Sequence, residues 1–216
     1  SGDEHALLMV RRTLDGMKNG GLYDQLGGGF ARYSVDARWL VPHFEKMLYD
    51  NAQLADVYLE AYAATGDPEY RRVARETLDY VARDMQGPSG GYFSSSDADS
   101  EGEEGKYFVW RLDEVRAVLE DPLAERFCLF FGVTAAGNWE GTNVLHTPHP
   151  LAHVARELGV DVAELSESLR EARALMLEAR QERLAPAVDD KVLVAWNGLM
   201  IRAMAHGYRQ LGDPRH

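Results

Sequence analysis

The sequence is poor in cysteine, with Cys128 alone among 216 residues. A single cysteine excludes an internal disulfide framework and a cysteine-rich metal site. No apolar run approaches the about 18 residues that a membrane-spanning helix needs, and the first residues lack the basic and apolar regions of a signal peptide. The sequence also contains no phosphate-binding Gly-Lys-Ser/Thr loop, dinucleotide fingerprint or nucleophile elbow. These absences predict a soluble, cytoplasmic protein.

Positive charge is also scarce. There are 23 lysines and arginines against 35 aspartates and glutamates, which gives a net charge of -12. Such a surface is a poor match for a phosphate backbone, so neither a nucleic acid nor a membrane is expected as a partner. Hydrophobic residues make up 45% of the chain and charged residues 27%, which is typical of a globular protein with a sizeable core.

Helical periodicity dominates the chain. Apolar residues recur at steps of three and four over residues 45–65, over 162–179 and from about Asn197 to 211. Strand signals are sparse, although residues 107–110 could be extended. The expected fold class is therefore all-α, built from helical hairpins. Shorter helices are predicted over residues 4–17, 70–85, 113–120 and 123–131.

Aspartates mark several expected helix starts. Asp67, Asp121 and Asp213 each precede a proline, and an aspartate at the cap followed by proline in the first turn favours a helix N-terminus. Asp161 and Glu164 have the spacing of an N-cap and its partner three residues later.

Internal repetition gives the organisation of the chain. When the sequence is shifted by 146 residues, Asn51 falls on Asn197, and Gly-Asp-Pro at 66–68 falls on the same tripeptide at 212–214. A second repeat has a spacing of 70 residues: residues 20–23 read GGLY and residues 90–93 read GGYF. A unit of about 70 residues predicts stacked helical hairpins. About three hairpins are expected in residues 1–216, as part of a larger array.

The densest segment for chemistry is residues 27–51, which begins with three glycines. If the helix of residues 45–65 extends back to Pro42, then His43, Lys46 and Asp50 lie at i, i+3 and i+7 and share one face. A histidine with an ammonium and a carboxylate beside it offers a proton-transfer group whose pKa can be tuned. The alternative is a solvated Lys46–Asp50 pair with His43 supporting the helix N-terminus. The residues alone leave both interpretations open.

An acidic segment at 96–105 carries five carboxylates within eight positions. Its Asp, Asp, Glu and Gly imitate the start of a calcium loop, but Phe108 occupies the position that needs a bidentate glutamate. A solvated acidic loop and a loop that reaches into a polyol-binding cleft beside Tyr107 and Trp110 are the other two interpretations.

Two further clusters combine aromatic and polar residues, as sugar sites often do. Trp139 and Asn143 lie in one turn-rich segment, and Asp190, Lys191 and Trp196 lie in another. The competing interpretations are a loop anchored by a buried tryptophan and a helix start followed by a core tryptophan. Histidines at 146, 149 and 153 have no carboxylate or cysteine that completes a metal site, so no metal is expected.

Several segments together resemble one known family. They are Gly20–Asp36 with Trp39, the Pro42–Asn51 block that reads PHFEKMLYDN, Ser96–Gly102, Trp139–Asn143 and Asp190–Leu199. They closely resemble the thioredoxin-domain-containing family that includes spermatogenesis-associated protein 20 and its bacterial relatives. The resemblance implies an N-terminal thioredoxin-like domain followed by an (α/α)6 toroid of the six-hairpin glycosidase and N-acylglucosamine 2-epimerase kind. Residues 1–216 contain no Cys-x-x-Cys segment. We therefore expect them to form part of the toroid, without the thioredoxin-like domain and without the C-terminal half of the toroid.

The resulting hypothesis is a carbohydrate-active enzyme, an epimerase or isomerase more than a hydrolase, that works by acid–base catalysis in the toroid cleft. The expected partners are a sugar-like ligand and the thioredoxin-like domain, and no cofactor is expected. The alternative is a non-catalytic toroid that binds a ligand or partner beside a redox domain. The residues expected to act as acid or base are His43, Glu45 and Asp50. Those expected to bind substrate are Trp39, Asn51, Asp97, Asp99, Trp110, Trp139, Asn143, Asp190, Lys191 and Asn197.

Overall fold

A computed structural model describes residues 3–215, and helices dominate it. The helices are α1 (Glu4–Asn19), α2 (Leu48–Thr65), α3 (Pro68–Asp84), α4 (Leu112–Val118), α5 (Leu123–Phe131), α6 (Leu151–Leu158), α7 (Val162–Gln181) and α8 (Val194–Leu211). The strands are two residues long: β1 (Tyr33–Ser34), β2 (Pro42–His43), β3 (Lys46–Met47), β4 (Ser95–Ser96), β5 (Asp99–Ser100), β6 (Glu103–Glu104) and β7 (Val188–Asp189). The helix-dominated fold agrees with the sequence pattern, and the short strands were not predicted.

The expected capping bond is made by three of the four aspartates. Asp213 accepts the amide of Arg215 at 3.0 Å, although the helix expected after it extends beyond the described residues 3–215. The side chain of Asp67 accepts the amide of Glu69 at 3.0 Å, and that of Asp161 accepts the amide of Ala163 at 2.7 Å. The prediction for Asp121 is wrong, because Pro122 itself occupies the cap position of α5 and no side chain caps it. Residues 107–110 do not form a strand: 107 and 108 lie in a turn, and Trp110 makes an isolated bridge to Asn143.

The start of α2 corrects the expectation that His43, Lys46 and Asp50 share one helical face. The helix begins at Leu48, because residues 42–47 pair with other segments instead. His43 lies in β2, opposite Tyr33, while Lys46 lies in β3, opposite Ser96. Alternate side chains of an extended segment point to opposite sides, so His43 and Glu45 lie on one side and Lys46 on the other.

Lys46 is buried in a charge cluster that anchors the glycine-rich loop. Its ammonium donates to Asp24 at 2.8 Å and to the carbonyl of Gly28 at 3.0 Å. Arg180 of α7 donates to both oxygens of Asp24, at 2.8 and 2.9 Å. Burial alone would raise the pKa of Asp24, but the charges of Arg180 and Lys46 outweigh burial and hold it well below its usual value. The cluster joins α7, the loop and the chain entering α2.

Two glycines let this loop lie directly against α3. Gly28 and Gly29 have φ values of 75° and 78°. A Cβ at Gly28 would lie 2.4 Å from the carbonyl oxygen of Glu76, and one at Gly29 would lie 2.4 Å from the ring of Tyr80. Both the conformation and the close approach therefore require glycine.

A three-stranded sheet sets the directions of the two central helices. β4 pairs antiparallel with both β3 and β7, so β3 and β7 run parallel to each other. Because α2 follows β3 directly and α8 follows soon after β7, the two helices begin on the same side of the fold. The two helices pack against each other and against α3. In their first turns the rings of Tyr49 and Trp196 are in contact, with 4.8 Å between the ring centroids.

The 146-residue repeat has a structural counterpart in two asparagines. Asn51 accepts the amide of Phe30 at 2.7 Å and donates to the carbonyls of Phe30 and of Met47, four residues earlier. Asn197 makes the same three bonds with Tyr92 and with Leu193, again four residues earlier. Each asparagine thus fastens an incoming loop to the first turn of a helix.

Candidate active site

His43 is the centre of a cluster of polar side chains beside the first turn of α2, and the surface that these side chains form is named the His43 groove. The pairing of β1 with β2 places its imidazole on the ring of Tyr33, with 4.9 Å between ring centroids. Nδ1 lies 2.7 Å from Oε1 of Glu104, and Nε2 lies 3.7 Å from Oε2 of Glu45. The imidazole therefore lies between two carboxylates and keeps about a quarter of its side-chain surface exposed.

Glu45 is held in place by Arg32. The guanidinium of Arg32 donates to Oε2 of Glu45 at 2.9 Å, and the amide of Arg32 donates to the carbonyl of Glu45 at 2.8 Å. The ion pair orients the Glu45 carboxylate, and it leaves the same oxygen close enough to stabilise a positive charge on His43.

Asp50 provides a carboxyl group with an unusual proton affinity. Burial raises its pKa to about 6, and the negative charge of Glu45 adds to this while Arg32 and a hydrogen bond with Tyr49 oppose it. Its Oδ2 atom is buried and has no hydrogen-bond partner among residues 3–215. A carboxyl group of this kind exchanges a proton close to neutral pH.

The arrangement is suited to proton transfer between two groups. If Nδ1 carries the proton donated to Glu104, the lone pair of His43 lies on Nε2, where it can act as a base. Glu45 stabilises the imidazolium that forms, and Asp50 can donate a proton nearby. Three of the residues that the sequence indicated, His43, Glu45 and Asp50, therefore lie in one cluster, although not on one helix.

The acidic segment contributes to this cluster through Glu104, which the sequence analysis did not single out. The segment folds as the β5–β6 hairpin, in which Asp99 pairs with Glu104. Asp99 is exposed, and Asp97 accepts the amides of Ala98 and Asp99. No sequence signal connects Glu104 to His43, because the two are 61 residues apart.

Polar residues before α8 lie on the side of the fold where α2 begins. Lys191 donates to both oxygens of Asp189 at 3.0 and 2.8 Å, and Asp190 is exposed. Trp196 contacts Tyr49, the neighbour of Asp50. This contact connects the α8 segment to the His43 groove, and sequence analysis did not identify Tyr49 as part of the site.

The three asparagines expected to bind substrate are engaged with the backbone. Asn51 and Asn197 hold loops as described above. Asn143 is fully buried, and it donates to the carbonyls of Trp110 and Thr134 and accepts the amide of Thr134, each at 3.0 Å. Their amides support the loops around the groove.

The tryptophans expected to stack on substrate occupy packed positions. Trp110 is buried, with the guanidinium of Arg183 3.7 Å from its ring centroid. Trp139 packs on Phe44 with 5.3 Å between centroids. Trp39 is partly buried against α1, where a Cβ at Gly16 would lie 2.8 Å from its ring. The imidazole of His43 stacks on Tyr33 and on none of these three rings.

Residues 3–215 contain no group of three or more histidine, cysteine or carboxylate side chains arranged to hold a metal ion. Within the same range, no helix has the length and apolarity to cross a membrane.

Comparisons with known proteins place the sequence motifs in context. No family model matches the chain. It is 40% identical to human spermatogenesis-associated protein 20 over 232 residues, which cover 96% of this chain, and 37% identical to the mouse protein over 91% of it. A solved structure of D-mannose isomerase aligns with 99% of this chain and 48% of its own, at 16% identity and a TM-score of 0.40. The chain spans about 30% of the length of the human relative. Similarity across nearly the whole chain therefore supports the family that the sequence motifs indicated, that of spermatogenesis-associated protein 20.

Proposed function

We propose that the His43 groove is an acid–base active site that moves a proton on a sugar-like substrate, as an epimerase or isomerase does. The observation that carries the proposal is the position of His43, bonded to Glu104 through Nδ1 and facing Glu45 through Nε2, beside Asp50 with its raised pKa. Enzymes commonly pair a base with a carboxyl group whose pKa lies near the working pH.

In the proposed reaction, His43 Nε2 removes the proton from the carbon next to the sugar carbonyl. The carbonyl oxygen takes a proton from the protonated form of Asp50, which a pKa of about 6 keeps populated near pH 6. This transfer gives a neutral enediol and leaves an imidazolium and a carboxylate. Transfer of this proton from the imidazolium to the neighbouring carbon gives an isomer. Transfer back to the original carbon, after the enediol has turned its other face towards His43, gives an epimer. Asp50 recovers its proton from the enediol hydroxyl, so no cofactor or redox partner is consumed.

The proposed setting of the groove is one mouth of an (α/α)6 toroid. The parallel α2 and α8 suit such a ring, and the first turn of α2 lies beside the groove. Asp97, Asp99, Asp190 and Lys191 lie on exposed segments around the sheet from which both helices start, where they would contact sugar hydroxyls.

The competing proposal is a non-catalytic toroid that binds a ligand or partner beside a thioredoxin-like domain. It is favoured by the exposure of the site, because His43, Glu45 and Asp50 line none of five well-formed cavities among residues 3–215.

Incubation of the protein at its full encoded length with aldoses and N-acylhexosamines in deuterated water distinguishes the two. We expect deuterium at C2 of at least one sugar, detected by proton NMR. We expect His43→Ala to reduce the exchange by about 10²-fold or more, the range of acid–base contributions. The matched control is His153→Ala on α6, an exposed histidine in an i, i+4 pair with Glu157. Sugar binding without exchange or hydrolysis would instead support the scaffold.

A further inference from the structure

A second cleft lies away from the His43 groove, between α1, α3, α7 and the segment before α6. Its volume is about 460 Å³, which is within the range of small-molecule sites. None of the residues predicted from the sequence as catalytic or substrate-binding lines it. Three cationic side chains from three helices do line it: Lys18, Arg72 and Arg173.

Glu76 holds both guanidiniums in fixed positions. Arg173 donates to its two oxygens at 3.2 and 2.8 Å, and Arg72 donates to Oε2 at 2.9 Å. Tyr23 donates its hydroxyl to the same carboxylate. Burial would raise the pKa of Glu76, but Arg173 and Arg72 lower it to about 2, so the carboxylate stays ionised and the arginines stay oriented. This carboxylate is shared, so two guanidiniums converge on one negative charge.

The edge of the cleft already binds a carboxylate. Glu69, at the rim and about half exposed, accepts from Nε and Nη2 of Arg72 at 3.2 and 2.9 Å. Lys18 bonds Asn19 and lies 3.6 Å from Asp15. The charges of the cleft and of its carboxylate partners therefore nearly cancel when no ligand is bound. The Glu69 carboxylate satisfies Nε and Nη2 of Arg72.

The rest of the wall is suited to an organic body. Phe130 and Leu169 provide apolar surface, while His149 and Ser166 provide polar edges. The cationic side chains would contact the charged group of an organic anion, and Phe130 and Leu169 would contact its apolar part. We propose that this cleft binds a small organic oxyanion, a carboxylate or phosphate monoester on an apolar body, and that it displaces Glu69 from Arg72 when it binds.

Because the ligand displaces Glu69, loss of the Glu69 charge is expected to increase the affinity for the ligand rather than decrease it. Removing a negative charge from the rim should tighten binding, because the ligand no longer competes with Glu69. Breaking an exposed ion pair of this kind costs up to about 1 kcal/mol, so Glu69→Gln should increase affinity by up to about five-fold. Removing Lys18 or Arg72 should weaken it, by about ten-fold for Arg72, because a charged hydrogen bond is lost. A purely structural role for the Glu69–Arg72 pair predicts no such gain.

Isothermal titration calorimetry at low salt tests the proposal on the protein at its full encoded length. Phenyl phosphate and benzoate are the two anionic probes, whose relative affinities show which oxyanion is preferred, and benzyl alcohol is the neutral probe. Glu167→Gln is the matched control, since Glu167 and Arg170 form the same i, i+3 pair on the exposed surface of α7. Lys18→Gln serves as the weakening variant if Arg72→Gln fails to fold.

We expect saturable binding of at least one anion, little or none of benzyl alcohol, tightening by Glu69→Gln and no change by Glu167→Gln. Absence of anion binding, an unchanged affinity in Glu69→Gln or equal effects of the two glutamate variants would overturn the proposal. The readout is binding rather than turnover, so the result does not depend on the reaction proposed for His43.

Discussion

Replacing Asp50 with asparagine should stabilise the protein at neutral pH, although Asp50 is proposed to be catalytic. Burial disfavours its ionised form and raises its pKa from 3.8 to about 6. A pKa difference of this size between folded and unfolded chains corresponds to about 3 kcal/mol at pH 7. The carboxyl group is only half-buried, and solvent screens the effect, so we expect asparagine to recover about 1 kcal/mol.

The size of this effect depends on pH. Above pH 6 both states of the chain carry an ionised Asp50, and only the folded state bears the cost of burying it. Between pH 6 and pH 4 the folded protein holds a proton that the unfolded chain has released, so the cost fades. The gain from Asp50→Asn should therefore be present at pH 7 and absent near pH 4.

Urea unfolding of wild type and Asp50→Asn at the two pH values measures this difference. Asp56→Asn is a control on the same helix with the opposite expected sign. Asp56 pairs with Arg202 at 2.8 Å and His206 at 2.6 Å, so its loss should destabilise the protein by about 1–3 kcal/mol at pH 7. If Asp50→Asn also destabilises the protein at pH 7, its charge is stabilised in the fold and the argument from burial is wrong.

Three other predictions follow from named contacts. Asn197→Ala should lower the free energy of unfolding by about 1–3 kcal/mol, because it leaves the partly buried hydrogen bonds to Tyr92 unmade; an unchanged urea midpoint would contradict the loop-fastening role. Asp24→Asn should cost about 3–5 kcal/mol at pH 7, because Lys46 and Arg180 lose their shared buried partner. In wild type this stabilisation is present above about pH 4 and is lost as the pH falls towards the lowered pKa of Asp24, so a pH series of thermal midpoints checks it. Glu104→Gln should slow C2 exchange on any sugar substrate about ten-fold or more while the KM changes little, because it orients His43 without touching the substrate; an unchanged kcat would remove Glu104 from the mechanism.

The sequence predicted most of the helices because their apolar periodicity is long enough to detect, but it did not predict α6, which has eight residues. The stripe at 162–179 corresponds to α7, and Leu123–Phe131 is helical over the predicted range. The 146-residue repeat also indicated two equivalent asparagines, and the structure gives them matching bonds.

The residues before α2 could not be predicted in the same way. Two-residue strands have no periodicity, and their partners are distant: Lys46 pairs with Ser96, 50 positions later. Helical spacing therefore put His43 and Lys46 on one face, whereas strand pairing separates them. The Glu104 contact with His43 was missed for the same reason, since an acidic loop contains several carboxylates and no local pattern selects one.

The most direct test of the account is the rate of hydrogen exchange at C2 of a sugar in deuterated water, compared between wild type, His43→Gln and His153→Gln. If the His43 groove is an acid–base site, wild type and His153→Gln exchange at the same rate and His43→Gln is slower by about 10²-fold or more. Equal rates in all three proteins, or no exchange on any sugar while binding persists, would contradict it.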